Sequence, residues 1–344
     1  MQKQVLVIKL GSAVISNNDG SINVSLIKKL VGEVVNLSQQ YNIVMVSSGA
    51  VGSGKAFINN YKGTLIERKA AAAVGNPILI RLYANYFSKH GINVAQALCE
   101  RHHFSNRLQF LQLKETFAEF WKHNIIPVVN ENDLVSNVEL KFSDNDELAT
   151  LIAVGFNADT LIICTSVGGL MNHKKKIIPS VENISETIMG FVNTDKSSLG
   201  LGGMLSKLTF TRLATSLGIK VIMCGLKGNS PLTKALNRER GTSFTAKNSN
   251  LKARQKWLAS GSITIVNIEV DKGAAKALDN RKSLLTVGIK SVNGKFSVGE
   301  VVQLMDDEGA IIGVAKAKLA AADINKQLKQ KNIIAAHADD IVIF

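Results

Sequence analysis

The chain has 344 residues, 46% of them hydrophobic, and a formal charge of +14 from 41 Lys and Arg against 27 Asp and Glu. That length and apolar content predict a globular protein of two domains, and no apolar stretch approaches the roughly 20 residues that span a bilayer, so no membrane partner is expected. Cys99, Cys164 and Cys224 lie far apart with no C-x-x-C spacing, which excludes a zinc or dithiol motif and a disulfide framework and fits a reducing, cytoplasmic setting.

In chain order, Val5 to Leu10 is an apolar run broken at once by Lys9 and Gly11, with no small-residue cleavage site after it. It reads as a first strand. Further strands are predicted at Ile43 to Ser47, Ile125 to Asn130, Thr160 to Thr165 and Lys220 to Cys224, separated by amphipathic runs. Leu26, Ile27, Leu30, Val31, Val34 and Val35 keep helical spacing, as do Phe117, Phe120 and Trp121. Such alternation predicts an α/β fold with an open, mainly parallel sheet between helices. Ligands of such sheets bind beyond the carboxyl ends of the strands, where Lys9, Ser48, Asp133 and Thr165 fall.

The texture changes near Gln255. Short strand-like pieces follow at Ile263 to Ile268, Gly288 to Val292 and Val301 to Leu304, punctuated by glycines, which predicts a small β-rich domain. Domains are expected at 1–250 and 256–344. From Gln255 onward there are 12 basic and 10 acidic residues, so the excess positive charge sits in the first part. Its one tight basic run, Lys174 to Lys176, reads as a solvated loop, and no nucleic-acid partner is expected from so few phosphate contacts.

Two glycine turns carry lysines: Lys9-Leu10-Gly11-Ser12 at the end of the first strand and Gly200 to Lys207 before a helical run. Glycines let backbone N–H groups approach an oxyanion, a helix N-terminus adds partial positive charge, and lysine supplies a full one. The pair predicts a site that stabilises a phosphoryl group in transfer. Between them lie Asn130-Glu131-Asn132-Asp133 and Ser143-Asp144-Asn145-Asp146-Glu147, amide and carboxylate clusters able to hold an ammonium group or orient lysines. Gly49 to Ala56 comes within one residue of a P-loop, but Ala56 lacks the hydroxyl that would ligate Mg²⁺. These glycines are expected instead to wrap a small anionic substrate, with Ser48 as donor. The six histidines show no metal-ligand spacing, and no metal-binding residues are expected.

Taken together, these motifs resemble the bacterial glutamate 5-kinases, an amino acid kinase fold followed by a PUA domain. The K-x-G-[ST] strand appears as Lys9 to Ser12, the S-G-A loop as Ser48-Gly49-Ala50, and N-E-N-D as Asn130 to Asp133. The G-D-N-D segment appears as Ser143 to Asp146, G-x-G-G-M-x-[ST]-K as Gly200 to Lys207, and the PUA segment as Lys282 to Lys290 with Gly294 to Gly299. The resemblance implies phosphorylation of the side-chain carboxylate of L-glutamate by ATP, with Mg²⁺ bound mainly through the nucleotide phosphates. It implies Lys9 and Lys207 as catalytic cations oriented by Asp146, and Ser48, Gly49, Ala50, Asp133 and Asn145 as the glutamate site. Asp133 would pair with the substrate ammonium, and Ser48 and Asn145 would bond its carboxylates. The nucleotide would meet Lys9, Thr165, Ser166, Leu201, Gly202, Gly203, Met204, Leu205, Ser206 and Lys207. A homo-oligomer inhibited by proline is implied as well.

The chain departs from the family pattern in four places. Ser166 stands where an Asp usually follows Thr165, Leu201 replaces a threonine, Ser143 replaces a glycine, and the loop from Val167 to Pro179 lacks an Asp-Pro. Except at Ser143, these changes bear on nucleotide binding more than on the chemistry. Two alternatives stay open on the sequence alone: a related amino acid kinase acting on another acid, and a PUA-type RNA-binding protein with a weakened kinase site.

Overall fold

The computed structural model describes residues 3–134, 144–191, 203–247, 266–309 and 311–343. The principal elements begin with β1 (Gln4–Leu10), α1 (Ser12–Ile15), α2 (Val24–Ser38), β2 (Tyr41–Ser47), α3 (Ala50–Gly54), α4 (Leu65–Phe87), β3 (Asn93–Cys99), α5 (His102–Ser105) and α6 (Arg107–Lys122). They continue with β4 (Ile125–Glu131), α7 (Asn145–Gly155), β5 (Thr160–Cys164), β6 (Ser180–Val181), α8 (Glu186–Gly190), α9 (Met204–Ser216), β7 (Lys220–Cys224), α10 (Pro231–Leu236) and β8 (Thr242–Phe244). Two compact units form: Met1–Arg101 with Gln112–Asn248, and His102–Leu111 with Ser249–Phe344. Grouping of residues 102–111 with the tail has no composition or breaker signal in the sequence.

The first unit is built on an eight-stranded sheet in the order β3-β4-β2-β1-β5-β7-β8-β6, parallel except where β7 meets β8. β1 lies at its centre, buried from Leu6 to Leu10, and therefore reads as a continuous apolar run rather than an alternating one. Its C-terminal end is flanked by β2 on one side and β5 on the other, which brings the loops after β1, β2, β4 and β5 to one edge. α2 begins at Asn23, whose side chain accepts from the Leu26 N–H at 3.0 Å, and buries Ile27, Leu30, Val31, Val34 and Leu37. Each such side chain contributes roughly 1.5–3 kcal/mol by leaving water.

α4 is started by a capping box: Thr64 accepts from the Glu67 N–H, and the Glu67 carboxylate accepts from the Thr64 N–H. It packs directly on α3, and a Cβ at Gly54 would overlap the Ala71 carbonyl, as one at Gly75 would overlap that of Ala50. Only glycine permits that approach.

The second unit carries β9 (Asn267–Val270), α11 (Lys272–Asp279), β10 (Leu284–Leu285), β11 (Ile289–Asn293), β12 (Val301–Met305), β13 (Ile311–Lys316), α12 (Ala321–Lys326), β14 (Ile334–Ala336) and β15 (Ile341–Ile343). Five of its strands form a sheet in the order β11-β9-β12-β13-β15, and β10 pairs with β14. Ile268, Val270, Val302, Leu304 and Ile324 are fully buried in its core.

Candidate active site

The site is organised around one carboxylate. Asp144 caps α7, its Oδ1 accepting from the Asp146 N–H at 2.8 Å and the Glu147 N–H at 3.1 Å, which fixes the first helical turn. That turn holds Asp146 with no solvent exposure. Lys9, from the end of β1, places its Nζ 2.6 Å from Asp146 Oδ1, and Lys207, from the first turn of α9, places its Nζ 2.9 Å from Oδ2. Residues some 60 and 140 positions from Asp146 in sequence are thus brought to its two oxygens. Two ammonium groups on one buried carboxylate leave an excess positive charge, held rigidly and poorly hydrated.

A second arrangement lies beside the first. Asn145 donates from Nδ2 to Ser48 Oγ at 2.8 Å and to Asn130 Oδ1 at 2.9 Å, and Asn130 donates from Nδ2 to Asn76 Oδ1 at 3.0 Å. Gly49 adopts φ +107° at the start of α3, a left-handed conformation that favours glycine, and so turns the chain sharply behind Ser48. Ser206 of α9 donates to Asp144 Oδ2 at 2.6 Å. This bond ties the start of α9 to the cap of α7.

Both arrangements open into one cleft of about 510 Å³. Of the residues singled out in the sequence, Lys9, Ser48, Gly49, Asp133, Asn145, Asp146, Thr165, Ser166, Gly203, Met204 and Lys207 line it. Ala50 and Leu205 do not: Ala50 is buried at the start of α3, and Leu205 is exposed on α9. Ser206 acts through Asp144 rather than from the lining. Leu201, Gly202 and Ser143 lie outside the described residues. Gly203 starts α9 without a side-chain cap, which suits an anion at that helix terminus.

The Thr165 hydroxyl accepts from the Gly168 N–H at 3.0 Å and shapes the turn after β5, while Ser166 is exposed on it. Cys164 also lines the cleft. A hydrogen bond with Cys224 and complete burial push its thiol well above the usual range, so it stays protonated and is no nucleophile at neutral pH. No histidine appears in the lining among the described residues, and no group of three or more His, Cys, Asp or Glu there forms a metal cage.

The P-loop-like segment has another use. Lys55 donates to the Asp19 carbonyl at 2.5 Å and secures the turn from Asn17 to Ile22, while Gly49 and Gly52 of the same segment line the cleft. The sequence reading missed Arg101 and the role of Glu147. Arg101, just past β3, places Nη2 2.6 Å from Glu147 Oε1, and both are buried. Burial lowers the guanidinium's pKa, and Glu147 and Glu131 oppose that shift. The pair anchors the turn of α7 that carries Asn145 and Asp146. Glu147, the last residue of the acidic cluster, was its one legible sign.

Residues 4–225 match the model of the amino acid kinase family, and residues 267–337 match that of the PUA domain. A glutamate 5-kinase of Aquifex aeolicus is 37% identical over 355 residues, covering 98% of this chain and 99% of the relative. Another from Kosmotoga olearia is 35% identical over 326 residues, covering 93% and 90%. Among solved structures, carbamate kinase from Giardia lamblia bound to AMP-PNP superposes with a TM-score of 0.52 at 18% identity, covering 71% of this chain and 99% of that one. At that identity the likeness concerns the fold alone. The extent of the sequence match, running through both units, shows that the chain belongs to the amino acid kinase family, among its glutamate 5-kinases.

Proposed function

We propose that this chain transfers the γ-phosphoryl group of ATP to the side-chain carboxylate of L-glutamate, giving L-glutamyl 5-phosphate, the first step of proline biosynthesis. The observation that carries this reading is the lysine pair on Asp146 sharing a cleft with the Ser48–Asn145 hydrogen bond. A glutamate side chain, with an ordinary pKa of about 4.3, is already ionised at neutral pH and needs no general base. Its oxygen bonds to the γ-phosphorus as the bond from that phosphorus to the β–γ bridging oxygen breaks, and ADP leaves. The difficulty is bringing two anions into line, which positioning and fixed positive charge resolve.

Lys9 and Lys207 are the catalytic cations, and Asp146 holds them apart and aimed. Ser48 and the N-terminus of α7 at Asn145 receive the reacting carboxylate, next to the lysine pair. Gly49 and Ala50 shape the turn around it, and Asp133 takes the ammonium group. Thr165, Ser166 and the segment from Leu201 to Lys207 form the nucleotide end. Mg²⁺ fits as a companion of the triphosphate, since it is commonly held by phosphates and a carboxylate or two. When bound, it neutralises charge on the β- and γ-phosphates. On the same reading the domains divide between residues 250 and 256, and a cytoplasmic homo-oligomer inhibited by proline is the expected form of the enzyme.

The test is ADP release from Mg²⁺-ATP with L-glutamate, aspartate, N-acetylglutamate or no acceptor, with hydroxylamine present to trap acyl phosphate. Hydroxamate that depends on glutamate is the expected outcome. Preference for another acceptor, or ADP without hydroxamate, overturns the reading.

A further inference from the structure

Resting on the reading of L-glutamate as acceptor, we propose that Arg68 is a specificity-determining residue that binds the α-carboxylate of the amino acid. Arg68 lies in the first two turns of α4 and lines the same cleft as Ser48, Asp133 and Asn145. Among the described residues the lining has three cations, Lys9, Lys207 and Arg68, and Asp146 pairs with the first two. The Arg68 guanidinium is on an exposed residue and has no hydrogen-bond or ion-pair partner among the described residues.

Helical spacing gives it a defined place. Arg68, Ala72 and Asn76 follow one another at i, i+4 and i+8, on one face of α4. Ala72 and Asn76 are buried, and Asn76 accepts the hydrogen bond from Asn130 at the base of the amide chain that ends on Ser48. Arg68 therefore stands about 12 Å farther along the same face, toward the helix N-terminus. The tight glycine contact with α3 holds this face in position against the Ser48–Gly49 turn.

The chemistry separates the two ends of the substrate. The reacting carboxylate belongs beside Lys9 and Lys207. An amino acid carries a second carboxylate, which in a cleft lined also by Glu131, Asp133, Asp144 and Asp146 requires a cation of its own. Arginine presents a planar fork suited to a carboxylate. Arg68 is not a catalytic cation, because binding the distant carboxylate acts equally on ground and transition states and so changes KM rather than kcat.

The experiment measures kinetics and nucleotide-free calorimetric binding for wild type, R68A and R68K, with L-glutamate and with its α-amide, in which that carboxylate is neutral. R68A is expected to raise KM and Kd for glutamate about 10- to 100-fold, the range for a hydrogen bond to a charged group. Its kcat and its KM for ATP should stay within about threefold, and the affinity for the α-amide should hardly change. R68K should restore part of the loss. An unchanged glutamate KM in R68A, or an equal loss for glutamate and its amide, overturns the proposal. Should R68A fail to fold, equal affinities of the wild type for the two acceptors overturn it instead. A wild type that binds glutamate in this way without phosphorylating it leaves Arg68 in its role and removes the kinase reading; one that neither binds nor phosphorylates it removes both.

Discussion

Two segments of the first unit have nearly the same composition, and their lysines have unlike fates. Gly49 to Lys55 and Gly200 to Lys207 are both glycine-rich and both end in a lysine. Lys207 reaches Asp146 Oδ2 at 2.9 Å in the cleft, whereas Lys55 donates to the Asp19 carbonyl and secures a surface turn. The difference lies in what each lysine meets. A buried carboxylate on a capped helix converts a lysine into a fixed charge aimed at a ligand, and a backbone carbonyl makes it a structural tie.

Removing the shared carboxylate is the most severe way to break this contrast. In D146N the two ammonium groups lose their common partner, and kcat should fall about 10³-fold or more, with a loss of about 3–5 kcal/mol in stability from the uncompensated buried charge. Steady-state kinetics and urea unfolding check the two parts. Next in size is K207A, expected to lower kcat about 10²- to 10⁴-fold with the Kd for glutamate within threefold, since its charge serves the phosphoryl group in transfer. Near-normal turnover would remove Lys207 from the mechanism.

S206A sharpens the comparison at the joint between α9 and α7. Loss of its bond to Asp144 costs about 1–2 kcal/mol, to be read as a rise of about five- to thirtyfold in KM for ATP with glutamate affinity little changed. The smallest effect belongs to K55A, for which kcat and both KM values should stay within twofold while stability drops by less than about 1 kcal/mol. A large loss of turnover in K55A would erase the distinction between the two segments.

The sequence made the central sheet legible because buried parallel strands are continuous apolar runs: Val5 to Leu10 and Lys220 to Cys224 fall within one residue of the observed β1 and β7. β3 gave no such sign. It is an edge strand, buried only at Cys99, and Ala95, Gln96 and Ala97 carry little strand preference. β6 and β8 have two and three residues, too few for any period to show. The lysines and Asp146 were legible as motif residues, but their sharing of one carboxylate is a tertiary fact. Arg101 and Arg68 had no motif. One becomes significant through its ion pair with Glu147, and the other through its place on the face of α4 that carries Asn76. In the sequence Lys141 reads as a solvated lysine and Trp257 as a core residue, and both fall outside the described residues.

The row of amides from Asn76 to Ser48 has a direction. Asn145 uses both Nδ2 hydrogens, one on Ser48 and one on Asn130, and Asn130 in turn donates to Asn76. Asn145 Oδ1 is thereby left as an acceptor, and the Ser48 hydroxyl, already accepting, turns its own hydrogen elsewhere. The cleft wall is therefore polar in a fixed sense, a donor at Ser48 beside an acceptor at Asn145, suited to a zwitterion presented one way round and not the other. Turning over any single amide would set like against like along the whole row. Because none of these groups titrates near neutrality, that sense does not vary with pH, and it is set at its far end by Asn76, which does not itself line the cleft.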